Sequence, residues 1–284
     1  MSDTTEILRE TDPSMWDTEI PFDNSVAGGE ILEIRSVSTH NALLVLEDDA
    51  GIFMDKMVAF FQCKDIDELR QKIASFKTYH ELKNFVTQLN DQILIEIDPA
   101  LSAHHVNVSR LADQISLLAL KAGIINKEDY RHSHLGAYLH DIGKLAIPNH
   151  ISKSDKVYTD EEHAKMHEHS LRGYLFAKML NLPKAMCHGI LSHHERCNGK
   201  GYPFKRINVP IQAQIIGLAD MMWSMLENRK YRNGTSTKDF IVNELRRAKD
   251  ENQFDPRLVD ICIEMAETWL LNPPILVDAK SKPK

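Results

Sequence analysis

The sequence lacks an excess of positive charge, a long apolar run and closely paired cysteines. Its net charge is −7, so no general positive field would hold DNA, and we expect no DNA partner. No apolar run reaches the roughly 18 residues of a membrane span, and the first residues lack the pattern of a secretory signal. The four cysteines lack CxxC spacing and are most simply reduced thiols. These absences predict a cytoplasmic protein without a membrane segment.

The N-terminal third of the chain differs in pattern from the rest. Residues 1–25 are polar and acidic and are predicted to be irregular. Residues 26–92 are predicted to form a small α+β accessory domain with a sensory, docking or dimerising role. Its expected elements are strands at 30–35 and 42–46, a turn at 47–51 and helical structure within 65–90.

Residues 98–275 are predicted to be entirely helical, which makes the fold mainly α. Apolar residues there recur at steps of three and four, as one buried helix face requires. The clearest stripe comprises Val108, Leu111, Ile115 and Leu118. The cationic tail at 276–284 is predicted to be disordered.

Two adjacent pairs of potential metal ligands carry the strongest chemical signal. His140 and Asp141 follow an apolar segment, and His193 and His194 precede a glycine-rich loop. Imidazole suits zinc, iron, manganese, nickel or copper, and a carboxylate can bridge two such ions. Each pair also has a simpler interpretation as a polar helix end. Adjacent histidines are uncommon, which favours metal binding for the second pair.

Three further residues are candidates by their place on apolar helix faces. His169 is in phase with the inward side of its helix, whereas His163 and His167 are expected on the surface. His104 precedes an apolar stripe, where a hydrogen-bonded core histidine is the alternative. Asp220 follows an apolar helical segment, and a buried carboxylate needs a metal or a salt bridge to offset its desolvation.

Together these positions are more informative than any one of them. The candidate ligands are His104, His140, Asp141, His169, His193, His194 and Asp220. Because they are spread over a helical stretch, they can meet only if several helices surround one site. Two metal ions about 4 Å apart can clamp the attacking and leaving oxygens of a phosphate ester. The pattern therefore predicts a phosphodiesterase.

The same blocks resemble the HD-GYP family, a branch of the HD phosphohydrolases. Leu139-His-Asp-Ile-Gly-Lys144 is similar to the HD motif, and His193-His-Glu-Arg-Cys-Asn-Gly-Lys-Gly-Tyr-Pro203 contains the Gly-Tyr-Pro element. The likeness runs in order from about His104 to Cys262. It implies a helical bundle of HD type that encloses a metal site.

The resemblance also implies roles for individual residues. One metal would take His104, His140, Asp141 and Asp220, and the other would take His169, His193 and His194, with Asp141 bridging. Asp141 and Lys144 would be catalytic. Lys144, Arg229, Arg232 and Tyr202 would contact the substrate. The two metals would be iron, with manganese as the alternative; Ala100 replaces the glutamate with which some members hold a third ion.

The implied activity is hydrolysis of cyclic di-GMP to linear pGpG, and then to GMP, by a hydroxide held between the metals. The alternative is a weak or inactive cyclic di-GMP-binding or protein-docking module that keeps the metal site. The Gly201-Tyr202-Pro203 loop would dock another signalling protein. The bulky Met222, Trp223 and Met225 are expected near the pocket, and Asn107 and Glu195 are expected to orient the imidazoles.

Overall fold

The computed structural model describes residues 48–154, 156–227 and 237–269. Within these ranges the chain is helical and contains no strand, so the predicted mainly α class is confirmed. The longer helices are α1 (Asp48–Phe60), α2 (Ile66–Ala74), α3 (Tyr79–Gln88), α4 (Pro99–Lys121), α5 (Lys127–Ala137), α6 (Asp160–Met179), α7 (Lys184–Ser192), α8 (Ile211–Glu227), α9 (Thr237–Asp250) and α10 (Pro256–Trp269). Shorter turns occupy Leu89–Leu94 (π-helical), Ile95–Ile97, Ile142–Ala146 (3₁₀) and Asn149–Ser152.

The turn predicted at 47–51 is wrong, because α1 begins at Asp48. Acidic residues at that position stabilise the positive end of a helix dipole, and the sequence alone does not distinguish this from a turn. Ala50, Phe53 and Met57 then follow helical spacing and are buried. The predicted strands at 30–35 and 42–46, the irregular segment 1–25 and the tail 276–284 lie outside the described residues.

Helix boundaries near the site follow local side-chain chemistry. α6 starts at a capping box, in which Thr159 accepts from the Glu162 amide and Glu162 accepts from the Thr159 amide. α4 starts with Asp98 as its N-cap and Pro99 in its first turn. Both helices carry candidate ligands, so these caps fix the residue at which each ligand-bearing helix begins.

Two groups of buried side chains flank the site. The first hydrophobic cluster joins α1, α2 and α3 to α6, α7 and the Ile142–Ala146 turn. The second hydrophobic cluster joins α4 to α8, α9 and α10. Because the first cluster contains side chains from both sides of residue 92, helices of the predicted accessory region share a core with the bundle; the boundary at 92 stays a prediction. No helix among the described residues is long and apolar enough to cross a bilayer.

Candidate metal centre

Five separate parts of the chain bring the predicted ligands to one place. α4, α6 and α8 each contribute one side chain from within a helix, and the segments that follow α5 and α7 each contribute an adjacent pair. The side chains that meet are His104, His140, Asp141, His169, His193, His194 and Asp220. All are buried or largely buried, although nitrogen and carboxylate groups favour water.

The ligand atoms fall into two groups. In the first ligand group (His104, His140 and Asp220), the two Nε2 atoms lie 3.3 Å apart, and His104 Nε2 lies 3.2 Å from Asp220 Oδ1. In the second ligand group (Asp141, His169, His193 and His194), the His169 and His193 Nε2 atoms lie 3.4 Å apart. A metal with bonds of about 2.0–2.2 Å spaces neighbouring ligand atoms about 3.0–3.5 Å apart, so both groups have the size of a coordination shell.

Asp141 lies between the two groups and contacts both. Its Oδ1 lies 3.1 Å from His169 Nε2, and its Oδ2 lies 3.4 Å from His140 Nε2. Oδ2 also forms a salt bridge with Lys144, whereas the buried Oδ1 receives no hydrogen bond from the described residues. A buried carboxylate oxygen without a donor is costly, and a cation beside it would remove that cost.

Three of the imidazoles are fixed in the same way. Each Nδ1 lies within hydrogen-bond distance of the backbone carbonyl three residues earlier, at 2.6–2.8 Å. The pairs are His140 with Ala137, His169 with Met166, and His193 with Ile190. Since a carbonyl only accepts, Nδ1 carries the proton and Nε2 presents its lone pair to the centre. Lone pairs that face each other repel in the absence of a cation, so these residues fit a metal ion.

The electrostatic environment keeps three of these groups, His193, His194 and Asp141, in the forms that bind metals. Burial lowers the pKa of His193 to about 4 and holds the pKa of His194 well below its usual value. Burial alone would raise the pKa of Asp141, but Lys144 and the neighbouring imidazoles bring it well below the usual range. At neutral pH His193 and His194 are therefore neutral and Asp141 is ionised, which are the forms that coordination requires.

Two glycines allow the ligand-bearing segments to approach each other. A Cβ on Gly143 would clash with the His169 carbonyl oxygen and the Gly173 amide nitrogen. A Cβ on Gly217 of α8 would clash with the His193 carbonyl oxygen. The backbones of the Ile142–Ala146 turn and of α8 therefore touch the backbones of ligand residues directly.

The predicted substrate contacts are only partly described. Lys144 is partly exposed and pairs with Asp141 at the edge of the centre. The Tyr202 ring stacks on the His194 ring at 4.5 Å and on the His167 ring at 3.8 Å. Arg229 and Arg232 lie outside the described residues.

Of the expectations about neighbouring residues, the one for Glu195 is wrong. Glu195 does not orient an imidazole; its carboxylate accepts from the Phe204 and Arg206 amides and so fastens the loop after Pro203. Met222 and Trp223 are buried in the second hydrophobic cluster, and Met225 packs against it; their expected place near the pocket stays a prediction. The predicted orienting role of Asn107 stays a prediction; its amide donates to the Ala103 carbonyl in its own helix.

His167 is the neighbour that sequence reasoning missed. It was expected on the surface because charged residues surround it in α6. It is instead partly buried and stacks on Tyr202. The only sequence signal was a histidine two positions before a ligand histidine, and helical phase places two such residues on different faces.

Comparisons with known proteins agree with this geometry. A protein-family model described as HD domain matches residues 88–258. The cyclic di-GMP phosphodiesterase response regulator RpfG of Xanthomonas campestris is 28% identical over 221 residues, which cover 70% of this chain and 56% of that protein. The 3'3'-cGAMP-specific phosphodiesterase 1 of Vibrio cholerae is 25% identical and covers 56% of this chain and 37% of that protein.

A solved structure supports the fold. Bd1817, an HD-GYP-type protein from Bdellovibrio bacteriovorus, superposes with a TM-score of 0.50 at 17% identity, covering 77% of this chain and 78% of that chain. The chain spans about half the length, or less, of the curated relatives just named. The resemblance to the HD-GYP branch is confirmed. By the extent of the family match and the convergence of its His and Asp ligands, the chain belongs to the HD domain family.

Proposed function

We propose that the chain is a metal-dependent phosphodiesterase that hydrolyses cyclic di-GMP to pGpG. The observation that carries the proposal is the Asp141 carboxylate, which lies between two groups of imidazoles that present Nε2 lone pairs. Relatives named as cyclic dinucleotide phosphodiesterases support the reaction class and the kind of substrate.

The ligand sets proposed for the two ions are those of the two ligand groups, with Asp141 as the shared residue. When bound, two such ions generate a nucleophile from water at neutral pH and neutralise charge on a phosphate ester. Iron is the proposed metal and manganese the alternative, because mixed imidazole and carboxylate sites accept both.

The chain's own residues would contact the substrate and hold its phosphate. Lys144 would add positive charge beside the scissile phosphate. Burial lowers the pKa of its ammonium group, but the neighbouring Asp141 carboxylate raises that pKa by more, so the group stays charged. Both faces of the Tyr202 ring are covered by imidazoles, so this residue would offer the substrate its edge and hydroxyl. Substrate contacts from Arg229 and Arg232 remain part of the proposal.

The test compares products from defined metal forms of the full chain. Metal-free protein is reloaded anaerobically with Fe²⁺ or with Mn²⁺ and incubated separately with cyclic di-GMP and 3'3'-cGAMP, and products are separated by chromatography. We expect pGpG from cyclic di-GMP. Asp141→Asn should lower the rate at least about 100-fold, because it removes the charge shared by both groups. His150→Ala, on the exposed Asn149–Ser152 turn, is the matched control.

Other outcomes would decide between the alternatives. Faster turnover of 3'3'-cGAMP would assign the chain to that substrate, which the Vibrio cholerae relative makes the second candidate. Binding of cyclic di-GMP without product from either metal form would contradict the enzyme proposal and favour a binding module. Docking of a signalling protein on the Gly201–Pro203 loop also stays a proposal; Phe204 and Ile207, just beyond it, are exposed apolar residues.

A further inference from the structure

His194 differs from three other candidate ligands in how its ring is held. His140, His169 and His193 each have a backbone carbonyl on Nδ1. No described residue forms a hydrogen bond to the His194 ring, whose contacts are with aromatic neighbours. Since a metal ligand must keep a fixed orientation, another contact has to supply what the hydrogen bond supplies elsewhere.

A three-ring stack supplies that contact. The Tyr202 ring lies 4.5 Å from the His194 ring, at 24° to it, and 3.8 Å from the His167 ring, at 14° to it. Two rings this close to Tyr202 and this nearly parallel to it must cover its opposite faces. His167 therefore presses Tyr202 against His194, and the His169 ring meets the His194 ring edge-on at 5.0 Å.

The loop that carries Tyr202 is itself anchored. The Tyr202 amide donates to the His194 carbonyl at 3.2 Å, and the buried Glu195 carboxylate accepts from the Phe204 and Arg206 amides. These bonds hold the backbone near His194 but leave the Tyr202 ring free to rotate about its side-chain bonds. The contact with His167, which projects from the rigid α6 helix, removes that freedom.

We propose that His167 is a positioning residue that acts through Tyr202 to orient the His194 imidazole in the second ligand group. Helix α6 then has two roles at the centre: it carries the ligand His169, and its His167 orients His194 through the Tyr202 ring. The inference rests on the metal-binding part of the proposed function and does not require turnover of any nucleotide.

The experiment measures Mn²⁺ binding to the full, chelator-treated chain by titration calorimetry, with no nucleotide present. Loss of a supporting contact around a metal ligand typically weakens metal binding by about tenfold or more, so His167→Ala should weaken one of two Mn²⁺ sites about tenfold. His167→Phe keeps a flat ring and should restore most of the affinity. His163→Ala, one turn earlier on the exposed face of α6, should bind as the wild type does.

A double variant identifies the affected site. His169→Ala removes a member of the second ligand group, so adding His167→Ala to it should cause no further loss of affinity. The proposal is overturned if His167→Ala binds as the wild type does, if His167→Phe is as weak as His167→Ala, or if the loss persists in the His169→Ala background. A wild type that binds no Mn²⁺ at the second group also overturns it. Two bound ions without hydrolysis would refute the proposed activity alone.

Discussion

Asp141 contacts both ligand groups through different oxygens, which makes it the residue on which the pairing of the two sites depends. Its Oδ1 faces His169 and its Oδ2 faces His104 and His140. A histidine in either group serves one site alone. Removing the carboxylate should therefore have a wider effect than removing any single imidazole.

This difference can be counted in bound metal. We expect His140→Ala and His169→Ala each to lose about one ion per chain after dialysis, and Asp141→Ala to lose about two, because both groups share its charge. Elemental analysis of the purified variants measures the ratio of metal to protein. His150→Ala should retain the wild-type content. Equal losses in all three ligand variants would contradict a bridging role.

At this scale the sequence predicted which side chains meet, because paired histidines and buried carboxylates have few other uses in a helical protein. It could not predict how they are held. The Met166 carbonyl, which orients His169 through its Nδ1, can be identified only from the folded α6 helix. The sequence does not show that Glu195 binds the amides of the loop after Pro203, because loop hydrogen bonds follow no periodic pattern. It also does not show that His167 is partly buried, because its partner Tyr202 lies in a separate loop.

At the scale of elements, helix α8 approaches the centre so closely at Gly217 that a side chain at this position would clash with the neighbouring backbone. Gly217 touches the His193 carbonyl, so Gly217→Ala would force α8 away from the ligand pair. We expect it to lower the free energy of unfolding by about 1–3 kcal/mol, the usual cost of overpacking. Urea denaturation of the metal-free chain measures this without any contribution from bound ions.

Gly51→Ala is the matched control for that substitution. It also lies within an α-helix, α1, but a Cβ there would meet no atom within 4 Å. Alanine has the higher helix propensity by up to about 1 kcal/mol, so this variant should be as stable as the wild type or more so. If Gly217→Ala also proved stabilising, the close approach of α8 to His193 would be wrong.

Helix positions were predictable from sequence wherever an apolar stripe was long, as in α4, and where a stretch such as 65–90 read as helical. The start of α1 was not, since two adjacent aspartates are equally suited to a turn and to a helix N-terminus. The approach of α8 to the His193 backbone was also invisible, because a glycine inside an apolar run does not reveal which backbone it touches.

At the scale of the whole molecule, buried neutral histidines make the metal-free protein sensitive to acid. Burial lowers the pKa of His193 from 6.5 to about 4 and also lowers the pKa values of His105 and His134. The unfolded chain would take up these protons near pH 6.5, so it binds more protons than the folded chain as the pH falls from about 7 towards 4. The free energy of unfolding must then decrease over this range.

His193 alone should lower the free energy of unfolding by about 2 kcal/mol between about pH 7.5 and pH 5. His104 acts in the opposite direction, because its hydrogen bonds to the Asp141 and Asp220 carboxylates outweigh burial and raise its pKa. With several lowered groups against one raised group, we expect a net loss. Urea denaturation of chelator-treated protein at the two pH values tests it, and equal or greater stability at the lower pH would contradict it.

The backbone contacts made by Gly143 and Gly217 also limit how such a protein can diversify. Neither position tolerates a larger residue without displacing a ligand, so the frame of the centre resists gradual change. A change of nucleotide specificity would therefore have to come from substitutions of side chains around the centre, and not from these two glycines. If the proposed function holds, substrate selectivity could change through those side chains while the ligand arrangement stays the same.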